Sequence, residues 1–262
     1  MQGASGVIAL VLAETAAGSA AILWLSGFWG KVKRGFFILT TSVVLLCAGL
    51  AAYAASIARE PNGGDAARLS VLLAAITAGL TAAALVGLLF RWLAAGRILG
   101  LLSIPAGVAT LGALAVVAAP SPAAAAVLVF AGAAFMGAVT DGLLLGHWYL
   151  VDRGLDRAHI RRIAVVLLAA VAVEVVAVIV GGARGDVAPT EGFSPFLTVG
   201  GGAIYMTIVL GMVGLTALIA VLIHVALRET RPRAVQAATG FFYLAVITAF
   251  TAELAAKVRF LG

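Results

Sequence analysis

Eight apolar runs, each about 20 residues or longer, divide this chain of 262 residues. They lie near 5–27, 36–58, 69–91, 98–118, 123–150, 162–181, 197–226 and 235–257. Crossing the hydrocarbon core of a bilayer takes roughly 20 apolar residues in a helix, at 1.5 Å per residue. A membrane barrel would instead show strands of about ten residues with alternating polarity. These runs are continuous, so helices are expected. The expected fold is an all-α polytopic integral membrane protein. It has one transmembrane domain, residues 1–262, of about eight helices arranged as four hairpins. "APSPA" and Pro105 make the edges of the fourth run the hardest to set.

Composition agrees with a lipid solvent. Hydrophobic residues make up 63% and charged residues 11%, with a mean hydropathy of +1.16. A soluble domain carries about 25% charged residues, and this chain cannot cover a water-facing surface. The net charge of +6 is assigned to loops facing anionic headgroups, with no nucleic-acid partner. Cys47 is the single cysteine, which rules out an intrachain disulfide or a thiolate cluster. The first run has no basic stretch before it and is long enough to span. It is expected to stay as a helix rather than be removed as a leader.

Charge asymmetry predicts orientation. The odd-numbered connections carry Lys31, Lys33, Arg34, Arg91, Arg97, Arg153, Arg157, Arg161, Arg162, Arg228, Arg231 and Arg233. The even-numbered connections and the C-terminal end carry Arg59, Arg68, Arg184, Lys257 and Arg259. The positive-inside rule then places both termini outside the cytoplasm, in what is expected to be a bacterial cytoplasmic (inner) membrane. The four basic turns each have an aromatic or histidine shortly before the cations, as in "ILWLSGFWGKVKRGFF" and "LGHWYLVDRGLDRAHIRRI". Interfacial aromatics explain that pattern as readily as an internal repeat does. "GGARGDVAPTEGFSPFLTVGGG", with Pro189 and Pro195, exceeds the usual connection length and reads as a lid, a docking surface or a plain connector. The glycines of "LTVGGGAIY" read as a flexible helix start or a break.

Ionisable groups inside a membrane span are costly and therefore point to function. Glu14 falls near the middle of the first run, and Glu174 just past the middle of the sixth. Neither has a cation nearby in sequence. Glu253 has Lys257 at i+4, a pairing that satisfies it locally. His147 and His224 end the fifth and seventh runs at similar depth. Two imidazoles so placed suit the axial positions of a b-type haem iron. With Asp141 as proton carrier, and Trp148 and Tyr149 as flat contacts, they suit a quinone equally. The third reading is that both are interfacial residues with nothing bound. His159, among Asp152, Asp156 and arginines, reads as a solvated surface.

The chain has no phosphate-binding loop, H-E-x-x-H or G-x-S-x-G motif. The leading functional expectation is a membrane subunit of a redox or electron-transfer assembly. It would use quinone or haem b, and Glu14, Asp141 and Glu174 would move protons. Partner subunits would dock on the basic cytoplasmic loops. The alternatives are a secondary transporter or channel using the same buried carboxylates, and a non-catalytic anchor for a partner.

Overall fold

The computed structural model describes residues 3–29, 32–58, 64–118, 121–152, 154–182, 202–229 and 231–258. Among them there are no strands and eight helices long and apolar enough to cross a membrane. They are α1 (Gly3–Ser26), α2 (Arg34–Ala58), α3 (Asp65–Leu89), α4 (Leu93–Ala118), α5 (Pro122–Val151), α6 (Ala158–Gly182), α7 (Gly202–Ala226) and α8 (Pro232–Val258). This is an all-helical integral membrane protein, as the apolar runs predict. α4 begins earlier than the sequence suggests and continues through Pro105. Most of the long connection before α7, including the first glycines of its expected helix start, lies outside the described residues.

Burial separates the helices into two kinds. α1 and α5 have 78% and 67% of their spans buried, and no other span exceeds 44%. α1 and α5 are therefore the inner pair, and the others present Ile57, Leu72, Ile98, Val176 and Ile247 outward. Outward leucine and isoleucine suit lipid, where no polar partner exists for a backbone or side chain. Small residues let the inner pair approach closely. A Cβ on Gly18 would strike the backbone of Ala133, and one on Gly137 would strike the backbone of Gly18. Without water to drive association, helices in lipid gain from such close packing.

The neighbour pattern repeats after four helices. α1–α2–α3–α4 close into a ring in which each packs on the next and α4 returns to α1. α5–α6–α7–α8 close in the same way, with α8 returning to α5. The rings meet along α1 and α5, flanked by α4 on α5 and α8 on α1. Details repeat as well. Arg34 at the start of α2 donates to Leu88 O at the end of α3 (3.4 Å), and Arg161 near the start of α6 donates to Leu227 O just past α7 (3.1 Å). "GFWGKVKRG" from residue 27 aligns with "GHWYLVDRG" from residue 146, sharing Gly27/Gly146, Trp29/Trp148, Val32/Val151, Arg34/Arg153 and Gly35/Gly154. At the same offset Gly18 falls on Gly137, so the backbone contact between them joins two equivalent positions.

One end of the bundle is tied together by its own cations. Arg162 donates to Trp29 O (2.7 Å), Lys33 pairs with Asp152 (2.9 Å) and Arg157 donates to Glu229 O (3.4 Å). With the Arg34 and Arg161 bonds, these contacts link all four odd-numbered connections. Several of the loop arginines thus bind carbonyls of this chain.

Candidate functional site: a buried carboxyl–lysine cluster

Four ionisable side chains from three helices converge beside the seam between the rings. Lys257 Nζ of α8 lies 2.9 Å from Glu14 Oε1 of α1 and 2.8 Å from Glu253 Oε2, one turn back on its own helix. It also donates to Leu128 O of α5 at 3.3 Å. The Glu174 carboxyl of α6 lies against that of Glu253. All four side chains are fully buried. Glu14 is about 18 Å from the C-terminal end of α1, well inside the span.

Glycine makes the room. A Cβ on Gly132 of α5 would come within 2.7 Å of Glu253 Oε2 and 3.1 Å of Glu14 Oε1. We expect Gly132→Ala to cost about 1–3 kcal/mol through overpacking. The cost should fall sharply in a Glu253→Ala background, because the atom the methyl meets is then gone. Unfolding free energies in detergent for this double-mutant cycle test it; equal cost in both backgrounds means the methyl does not meet that carboxyl.

Three carboxyls face one ammonium. If all were ionised, the cluster would carry two uncompensated negative charges where charge is least tolerated. Apart from the contacts named, Glu14 Oε2, both oxygens of Glu174 and Glu253 Oε1 have no hydrogen-bond partner among the described residues. A second cation or protons must balance them. A proton shared between Glu174 and Glu253 suits two touching carboxyls.

The other predicted residues are dispersed. Asp141 is fully buried on α5, two turns and more from Gly132, with Ser19 of α1 as its polar neighbour. His147 is exposed and His224 half-buried. Their helices, α5 and α7, sit at opposite corners of the second ring, with α6 and α8 packed between them. Trp148 is half-buried, its ring seated on Gly35 of α2. Tyr149 is buried, and its hydroxyl donates to the backbone carbonyl of Asp156. No group of three or more His, Cys, Asp or Glu among the described residues is placed to hold a metal ion.

Sequence reasoning misplaced Lys257 and His159. Lys257, counted as a loop cation, is at the centre of the cluster; the local Glu253 pair forms, but the same ammonium also reaches Glu14. Its signal was an acid at i−4 inside an apolar run. His159, expected in a solvated loop, is 5% exposed. Its Nδ1 lies 3.1 Å from Asp156 O, and Nε2 has no partner among the described residues. It lines a cleft of ≈ 290 Å³ with Trp29, Lys33, Asp152, Leu155 and Asp156. Comparison of the chain with protein-family models, curated proteins and solved structures found no match.

Proposed function

We propose that this protein is a proton-coupled secondary transporter in which the Glu14–Glu174–Glu253–Lys257 cluster carries the coupling protons. The observation behind this reading is a fully buried ammonium bridging acids from two helices, with a third acid alongside. A merely stabilising ion pair is a poor explanation, because desolvation offsets most of the attraction in a dry interior. The position supports the reading too. In transporters built of repeats, coupling sites lie near the interface between the repeats, and here the cluster borders the seam between two similar rings.

The orientation follows the charges. With Lys257 inside, the cations outside the cluster divide twelve to four, and the tied basic end faces the cytoplasm. Both termini then lie on the outer side of a cytoplasmic membrane, with the helices forming four hairpins. The cleft around His159 opens to the cytoplasm. A redox role would instead bring His147 and His224 to one haem or quinone, across α6 and α8.

The test needs no identified substrate. Purified protein in liposomes is adsorbed on a solid-supported membrane and exposed to pH steps. The expected result is a transient charge displacement that is strongly reduced in Glu174→Gln and in Lys257→Met, from a preparation lacking haem absorption. Absence of any displacement, or one unchanged in both variants, would overturn the proposal.

A further inference from the structure

We infer that Asp141 and Ser19 form a second proton-binding site, on the far side of the Gly18–Gly137 contact from the carboxyl–lysine cluster. The site itself does not depend on the transporter reading. Asp141 lies one turn beyond Gly137 on α5, and Ser19 follows Gly18 on α1. The glycine contact therefore sets the serine hydroxyl beside the carboxyl. Both side chains are at most 1% exposed, and the Ser19 hydroxyl and both Asp141 carboxyl oxygens are without a geometric hydrogen-bond partner among the described residues. Ser19 shares this state with the buried hydroxyls of Thr40, Thr41 and Thr140, but it alone of the four is set beside a buried carboxyl of another helix. Thr15, Ser26, Ser70, Thr77, Ser103 and Thr239 all donate to a carbonyl three or four residues back, the ordinary resting place of a helical hydroxyl in an apolar medium. Ser19 has forgone it.

What separates this acid from the cluster is the absence of a cation. The helices packed on α5 are α1, α2, α4, α6 and α8. Their ionisable groups are Glu14, Arg34, Cys47, Tyr53, Arg97, His159, Arg161, Arg162, Glu174, Arg233, Tyr243, Glu253 and Lys257, and α5 adds His147 and Tyr149. None of them pairs with Asp141 or acts on it from nearby. An ionised Asp141 would stand uncompensated in hydrocarbon, whereas a proton makes it neutral and lets it donate to Ser19. The ligand is therefore a proton, and the step is simple association with one carboxylate oxygen.

The location gives the site meaning. Glu14 precedes Gly18 by one turn and Asp141 follows Gly137 by one turn, placing the two acids about 12 Å apart along the seam. Between them the α1 and α5 backbones meet at Gly18–Gly137. The inner pair thus carries one acidic site on each side of that contact.

Infrared spectroscopy of the reconstituted protein tests this. The expected spectrum at neutral pH contains a carbonyl band of a protonated carboxylic acid that moves on incorporation of carboxyl-labelled aspartate. The chain has five aspartates, Asp65, Asp141, Asp152, Asp156 and Asp186. The band should vanish in Asp141→Asn, shift in Ser19→Ala and persist in Glu14→Gln/Glu174→Gln. The isotope measurement uses the unmutated chain, so a variant that fails to fold does not blunt the test. No labelled-aspartate band, or a band unchanged in Asp141→Asn, overturns the inference. Loss of the aspartate band alongside unaltered pH-step currents in Glu174→Gln would leave this site standing and sink the transporter reading.

Discussion

Lys257→Met is expected to cost about 3–5 kcal/mol of stability, the range for removing one partner from a buried ion pair. The substitution keeps much of the side-chain volume and removes the ammonium, with its charge and its donors. Glu14 and Glu253 then face each other's region without the ammonium that lies within 2.9 Å of both. The Leu128 carbonyl also loses its extra donor. Most of the loss should return in the triple variant Lys257→Met/Glu14→Gln/Glu253→Gln, because neutral amides leave no uncompensated charge. Unfolding in detergent measures all three free energies. A single variant as stable as the parent chain would mean that the ammonium does not hold the acids. A triple variant no better than the single would assign the cost to packing rather than charge. The restored triple is nonetheless expected to lack pH-step currents, which separates the cluster's structural contribution from its function.

Gly18→Ala is the second large effect, and it tests the seam rather than the cluster. The added methyl meets the carbonyl of Ala133 and the backbone at Gly137. Backbone cannot swing aside as the end of a side chain can, so α1 and α5 must separate. The expected cost is roughly 3 kcal/mol, the upper part of the overpacking range. Gly137→Ala should behave alike, and the double variant should lose much less than the sum, since one separation relieves both contacts. Gly79→Ala and Gly211→Ala serve as controls. A Cβ at either meets nothing within 4 Å, so alanine there should be neutral or stabilise by up to about 1 kcal/mol through helix propensity. Thermal unfolding of the five variants distinguishes the cases. Equal behaviour of Gly18→Ala and the controls would mean that the two inner helices do not touch as described.

The helical class and the number of spans were legible because they depend on local apolar length. A run such as residues 123–150 must find a hydrocarbon environment whatever its neighbours are. The buried acids were legible for a related reason. Glu14, Asp141 and Glu174 interrupt apolar runs, and charge in such a run is costly in any fold. Which of them belong together was not legible. His147 and His224 end their apolar runs at similar positions, and an expected depth follows from sequence position. Their azimuth around the bundle does not, and packing puts them on non-adjacent helices, with His147 outward.

Lys257 marks the boundary between the two kinds of information. Its position near the end of an apolar run decided that it would lie close to an interface or just within one. Residue spacing decided that Glu253 would be one turn away on the same face. Only the packing of α8 against α1 and α5, with Gly132 leaving the space, turned that local pair into a bridge to Glu14 and brought Glu174 alongside. Local periodicity and hydropathy act within one helix and are written in the chain. The meeting of four ionisable groups from three helices depends on how small residues let those helices approach. That is a property of the assembled bundle.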